Sequence, residues 1–437
     1  LFCFAEEKAI LVMQMKNKVE KIFDFLEISE QLKNTKRWKN VPQMKKKETS
    51  ADHTWHVALL ACLFDKELDF EIDFLKAIQI IIIHDLVEAI TDDIDYVQFF
   101  KGLADPKDKD RNEKLAIAKI RSVLPEKSGK IIFDLWQEYE DKSSNEGKFA
   151  YAMDKIEGLH HMVHTGHECF HFAEIIGTYP NKAVAGFPKL KSVLCEHKKR
   201  AKTEMEKHGW DWKGEYSLDG TNDTKSTKEI EQIFDFIEIS ENLKDTRRYL
   251  NTKEMKQKES SAEHSWHVAL ISMIVFYEFD LKVDLLKSIK MALVHDLPES
   301  IAGDTDYSLV AWGIKTKEEK HDMELAAIKE IRKRLPKKSG QEIYNLWQEY
   351  EQSETAEAKF IKAVDKIEGI NHMLVLGHEC FDHPELIAPY PNKAVKKFPE
   401  IKAMLIELHD RLKPKFEKLG WPWLEEYAKF LNKEENE

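Results

Sequence analysis

The sequence repeats itself. Phe23-Asp24-Phe25-Leu26-Glu27-Ile28-Ser29-Glu30 returns as Phe234-Asp235-Phe236-Ile237-Glu238-Ile239-Ser240-Glu241, and Leu135-Trp136-Gln137-Glu138-Tyr139-Glu140 returns at 346–351. Both pairs, and Gly209-Trp210 with Gly420-Trp421, stand 211 residues apart. An offset that holds over almost the whole chain means two complete copies of one domain with few insertions between them. A period near 200 residues is far longer than a solenoid unit, so each copy is expected to carry a core of its own. The polar stretch 217–227, SLDGTNDTKST, has no apolar periodicity and reads as the linker between domains at 16–216 and 228–430.

Within each copy the apolar residues fall at helical spacing. Val19, Ile22, Phe23, Phe25 and Leu26 line one such segment; 115–124 and 131–139 behave alike, with Pro125 and Ser128-Gly129 marking the boundary between them. Alternating strand patterns are scarce. The predicted fold class is all-α: two tandem helical bundles of six or more helices each, with 78–83 as a central buried helix.

Charge and cysteine content narrow the partners. With 67 Lys+Arg against 79 Asp+Glu the net charge is −12, the wrong sign for a bulk nucleic-acid binder. Five scattered cysteines without a CxxC pair suit neither a disulfide framework nor a cysteine zinc site, so a reducing, cytoplasmic setting is expected. No apolar run approaches membrane-spanning length, and 9–13 is too short for a secretory apolar segment.

The chemistry concentrates where the apolar run 78–83 breaks into His84-Asp85-Leu86-Val87-Glu88, repeated as His295-Asp296-Leu297-Pro298-Glu299. A carboxylate at the end of a buried helix needs a cation or donors to offset its desolvation. His53 upstream and Asp154 downstream, with His264 and Asp365 in the second copy, complete a set of two imidazoles and two carboxylates per copy. Without a thiolate, such a set suits Mn, Fe, Co or Ni with open water positions better than a structural zinc. Glu88 and Glu299 follow the histidine by four residues, one turn along the same helix face, where a carboxylate could orient water or exchange a proton. His56 and His267, three residues after the first histidine, read equally as support for it or as packing. The segment holding His160, His161, His164 and His167 reads as structural or substrate-lining, and Trp136, Tyr139 and Glu140 as a packing face.

The pattern His53, His84-Asp85, Asp154, with His264, His295-Asp296, Asp365, resembles the HD-domain metal-dependent phosphohydrolases. The flanking sequence is similar to 5′-deoxynucleotidases of the YfbR type over 20–170 and 231–381. The resemblance implies that Arg37-Trp38 helps to bind substrate; the second copy has Arg248-Tyr249, which keeps the cation and changes the aromatic group. Family members carry Thr-Gly-Asp after the HD helix, whereas these copies read Thr91-Asp92-Asp93 and Ala302-Gly303-Asp304, so a sugar contact is carried over only to Asp93 and Asp304. No histidine lies between Asp85 and Asp154 and only His321 between Asp296 and Asp365, which favours one metal ion per domain. The ion would lower the pKa of a water and supply a nucleophile near neutral pH. The guanidinium forks of Arg37 and Arg248 would pair with phosphate. The implied activity is removal of the 5′-phosphate from deoxynucleoside monophosphates. Hydrolysis of nucleoside triphosphates or other small phosphate esters, and nucleotide binding without turnover, stay open as alternatives. Single-domain relatives pair as homodimers, so the fused copies are expected to form a monomeric pseudo-dimer.

Overall fold

A computed structural model describes residues 2–41, 44, 46–165, 177–178, 180–218, 227–377, 381 and 383–428. Among the described residues there is no strand, only the isolated bridges Lys36 with Thr49 and Arg247 with Ser260. The longer helices of the first half are α1 (Phe2–Ser29), α2 (Ser50–Leu68), α3 (Phe74–Ile83), α4 (Pro106–Val123), α5 (Glu126–Asp141), α6 (Asn145–His164) and α7 (Pro188–Lys207). The second half repeats them as α8 (Lys228–Ser240), α9 (Ser261–Phe279), α10 (Leu285–Val294), α11 (Lys317–Arg334), α12 (Lys337–Gln352), α13 (Ala356–Leu376) and α14 (Lys402–Lys418). Most of the expected linker, 219–226, lies outside the described residues, as do 429 and 430 at the end of the second domain. No helix among the described residues is long and apolar enough to cross a membrane.

Local sequence explains where the helices that carry the site begin. Thr49 caps α2 by accepting from the Asp52 amide while Asp52 accepts from the Thr49 amide, and Ser260 with Glu263 does the same for α9. Asp73 and Asp284 cap α3 and α10 through their side chains. Between α4 and α5 the break is at Pro125 alone; Ser128-Gly129, expected as part of the boundary, lies inside the first turn of α5. A Cβ at Gly129 would stand 2.6 Å from the Arg121 carbonyl oxygen, so glycine there permits α5 to press onto the end of α4. The expected single helix from His84 to Glu88 is also corrected. Helix α3 stops at Ile83, with His84 as its cap. The Leu86 amide then bonds the Ile83 carbonyl and the Glu88 amide the Asp85 carbonyl, and Glu88 opens a separate four-residue helix.

The two halves do not hold separate cores as expected from the repeat. Their buried apolar side chains form one cluster. Helix α2 is buried from Ser50 through Phe64 on every face, a pattern that a half-exposed helix of a lone bundle would not show. The opposite half covers it. The Trp55 indole donates to the Leu293 carbonyl at 3.0 Å, and the Trp266 indole returns the bond to the Ile82 carbonyl at 3.0 Å. At the periphery Arg200 of α7 reaches Asp235 of α8 at 2.7 Å, and Arg411 of α14 reaches Asp24 of α1 at 2.7 Å. The chain is therefore an all-helical pseudo-dimer whose halves interlock about an approximate two-fold axis.

Candidate metal centre and its pocket

In the first half, α2 brings His53, the end of α3 brings His84 and Asp85, and α6 brings Asp154 to one point. His53 Nε2 stands 3.2 Å from Asp154 Oδ1 and 3.9 Å from Asp85 Oδ2, and His84 Nε2 stands 3.3 Å from Asp85 Oδ2. In the second half His264 Nε2 lies 3.3 Å from Asp365 Oδ1, 3.8 Å from Asp296 Oδ2 and 3.3 Å from His295 Nε2. Such separations match adjacent ligands of one small ion, about 3 Å for metal–ligand distances of about 2.1 Å.

The tautomers give a stricter test of fit. His84 Nδ1 faces the Ile81 carbonyl at 2.7 Å and His295 Nδ1 the Ala292 carbonyl at 2.7 Å, so these nitrogens donate and each Nε2 is left with a bare lone pair. His53 Nδ1 and His264 Nδ1 are likewise engaged, by Glu157 and Glu368. His53 Nε2 and His84 Nε2 are buried without a hydrogen-bond partner. Paired imidazole lone pairs aimed at one another between carboxylates fit a cation and little else. A proton competes with a metal ion for the same position. Burial and Arg37 oppose a charge on His53, yet Glu157 and Asp154 push it up to about 10. Burial works against Asp154 too, but Lys155, His53 and His84 hold its carboxyl well below the usual range.

A cavity of about 240 Å³ opens above His84, Asp85 and Asp154; Arg37, Trp38, Glu88 and Asp93 line it. In the second half a cavity of about 380 Å³ is lined by the matching Arg248, Tyr249, His295, Asp296, Glu299, Asp304 and Asp365. His53 and His264, fully buried, lie beneath the cavity linings. Arg37 Nη1 contacts Asp85 Oδ2 at 3.0 Å, and Arg248 Nη1 contacts Asp296 Oδ2 at 2.9 Å. The aromatic residue after each arginine adopts positive φ, 59° at Trp38 and 58° at Tyr249, a strained conformation for a bulky side chain that clusters at functional sites. Tyr249 adds a bond from its hydroxyl to the Gly369 carbonyl at 2.9 Å.

Glu88 accepts from the Ser50 hydroxyl and Glu299 from the Ser261 hydroxyl, each at 2.6 Å. Burial first, then the charges of Asp85 and Asp93, push the Glu88 carboxyl well above the usual carboxylate range; burial, Asp296 and Asp304 do the same to Glu299. Each therefore holds a proton more readily than the aspartate at the HD pair, Asp85 or Asp296, which is held low. Asp93 is pushed up to about 6, by burial and by Asp85 against the opposing Arg37.

Some participants were not anticipated. Tyr139, read as packing, donates to Asp154 Oδ2 at 2.6 Å, and Tyr350 bonds Asp365. Lys109 and Lys320 enter their cavities from α4 and α11, paired with Glu113 at 3.2 Å and Glu324 at 3.3 Å. His56 Nδ1 lies 2.9 Å from Glu157 Oε1, so Glu157 bridges His53 and His56, and Glu368 bridges His264 and His267. The repeated His-x-x-His on one helix and Asp-x-x-Glu on another carried that signal. His160, His161 and His164 do not line the first cavity; His167 lies outside the described residues.

The profile described as "HD domain" matches residues 29–184 and again 240–385. The chain belongs to the HD-domain family. Similarity to individual members extends over about one copy. A Xenopus laevis protein named 5′-deoxynucleotidase HDDC2 is 33% identical over 160 residues, 36% of this chain and 76% of that protein. The human protein of the same name is 33% identical over 159 residues, 36% and 74% of the two chains. The Dictyostelium discoideum protein of that name is 42% identical over 118 residues, 26% and 60%. Among solved structures, a "predicted metal-dependent phosphohydrolase" from Magnetospirillum magnetotacticum MS-1 aligns with 25% identity and a TM-score of 0.36, covering 42% of this chain and 97% of its own. Within the HD family this chain carries the matched domain twice, once in each half.

Proposed function

We propose that each half of this HD-domain chain is a metal-dependent phosphomonoesterase that removes the 5′-phosphate from nucleoside monophosphates, with a preference for deoxyribose. The observation that carries the reading is the pair of facing imidazole nitrogens without a hydrogen-bond partner, set between carboxylates at the floor of a cavity that an arginine and a buried glutamate line. The names of the relatives agree with it.

His53, His84, Asp85 and Asp154 would hold one divalent ion in the first half, and His264, His295, Asp296 and Asp365 one in the second. Donors of this kind suit Mn, Co, Fe or Ni. Bound there, the ion supplies charge neutralisation at phosphate and a lowered pKa for water. Arg37 and Arg248 then exchange part of their contact with Asp85 and Asp296 for the phosphate oxygens, which their planar forks match. Trp38 and Tyr249 shape the wall beside that arginine. Glu88 and Glu299, buried and pushed upward by the neighbouring aspartates, would hold a proton for the departing 5′ oxygen. Asp93 and Asp304 would face the sugar, where a carboxylate accepts from the 3′-hydroxyl that deoxyribose keeps.

Phosphate release from ribo- and deoxynucleoside 5′-mono- and triphosphates, with metal-stripped protein reloaded by one metal at a time, tests the assignment. Metal-dependent release from monophosphates is expected. Release confined to triphosphates, or nucleotide binding with no release under any metal, would overturn it. The pseudo-dimer is expected to run as one 51.2 kDa chain by light scattering.

A further inference from the structure

Behind the histidines of each candidate metal centre stands a cation from the other half. Lys244, on the short helix Asn242–Asp245 of the second half, reaches into the first half and stands 2.9 Å from Glu157 Oε1, 2.7 Å from Glu48 Oε2 and 3.0 Å from Glu241 Oε1. Glu157 is the carboxylate that holds His53 Nδ1 and His56 Nδ1, and Glu48 Oε1 lies 3.4 Å from Arg37 Nε. Lys33, on the turn after α1 in the first half, repeats the arrangement. Its ammonium is 2.7 Å from Glu368 Oε1, 2.6 Å from Glu259 Oε2 and 2.8 Å from Glu30 Oε1. Glu368 holds His264 and His267, and Glu259 Oε1 lies 3.1 Å from Arg248 Nε. Both lysines and all six carboxylates are buried.

Three carboxylates gather in a buried space only where a cation stands among them. Glu157, accepting from His53 Nδ1, fixes the ring's orientation and turns Nε2 toward the metal position. With Lys244 gone, Glu157, Glu48 and Glu241 lose the shared ammonium that gathers them, and the carboxylate behind His53 loses its place. The same holds for Lys33 and His264.

We propose that Lys244 is a positioning residue of the first metal centre and Lys33 of the second, so that each site is completed in trans by the opposite half. The inference rests on the metal-centre reading of the proposed function. A purely structural ion cluster at the interface would weaken the whole molecule alike; a positioning role is crossed between halves.

Cobalt(II) alone is the probe, titrated into the full-length chain against a competing chelator and read by its visible absorption. In an Asp365→Asn background, which disables the second site, Lys244→Met is expected to weaken the remaining site about 10- to 100-fold, the usual cost of losing a group that orients a ligand. Lys33→Met in that background is expected to leave it within about twofold. In an Asp154→Asn background the two effects exchange. Lysine variants that weaken both sites equally, neither site, or only the site of their own half overturn the proposal. Should Lys244→Met fail to fold by circular dichroism, Lys244→Arg keeps the charge while disturbing the three contacts, and a smaller but still crossed loss is required. Crossed affinities in a chain that releases no phosphate would overturn the hydrolase reading and leave this inference standing. Uncrossed affinities in an active enzyme would do the reverse.

Discussion

Replacing Glu88 and Glu299 together by glutamine should separate the chemistry from the fold. Both carboxyls are buried, each accepts one hydrogen bond from a serine hydroxyl at 2.6 Å, and both are pushed upward by burial and neighbouring aspartates, which favours the neutral form. A neutral amide of the same shape keeps the serine bond through its carbonyl oxygen. The stability cost is bounded by the quality of that one bond, about 1 kcal/mol per site. A few degrees in Tm is the expected shift. What the amide lacks is a transferable proton. General acid catalysis contributes about 10²- to 10⁴-fold, or roughly 3 to 5 kcal/mol of barrier, so kcat should fall by that factor in the double variant with KM little changed. The single variants are informative because each disables one site. Glu88→Gln leaves the rate supplied by the second half, Glu299→Gln that of the first, and the two residual rates should add up to that of the parent. Steady-state phosphate release at saturating metal, with thermal unfolding alongside, reads all of this. A double variant that keeps more than about a tenth of kcat, or loses only KM, would refute the acid role.

Three further outcomes are expected. Metal removal by a chelator should lower Tm and readdition of Mn or Co restore it, since an ion at about 100 times its Kd contributes about 2.7 kcal/mol to the folded state; an unchanged Tm would count against ligation at the facing imidazoles. Burial holds His197 down at about 4, against about 6.5 in an unfolded chain, so its share of stability is full above pH 6.5 and is lost as pH falls through that window toward 4. His197→Leu, copying Leu408 at the matching position, should gain about 2 kcal/mol relative to the parent at pH 5 and lose that advantage at pH 8; a pH-independent difference in urea unfolding would contradict the shift. Trp55→Ala should cost roughly 3 to 5 kcal/mol and lower the unfolding midpoint of both halves as one transition, because the indole is fully buried and donates across to Leu293; a transition confined to the first half would argue against the shared core.

Much of the site was legible from spacing. His53, His84, Asp85 and Asp154 stand out because polar residues interrupt apolar helices at positions that recur 211 residues later, and burial of charge without a partner is too costly to be accidental. The role of Tyr139 was not legible: a tyrosine on an apolar stripe looks the same whether its hydroxyl faces solvent or Asp154. The four-residue step from His84 to Glu88 fits a helix turn equally well as the pair of tight turns found there, which leave Glu88 within reach of Ser50. Positive φ at Trp38 and Tyr249 leaves no mark in residue type, since neither is glycine or asparagine.

By itself the sequence determined the duplication, the helical class and the candidate ligand residues of each half, because these rest on periodicity and on residue chemistry, both of which are local or repeat at a constant offset. Only the tertiary structure decided that the two cores are one, that Glu157 and Glu368 stand behind the histidines, and that Lys33 and Lys244 cross to the opposite site. The reason is physical. Lys33 and Glu368 are 335 positions apart and meet only because two apolar helices, α2 and α9, each need a second bundle to cover the face that their own half leaves bare.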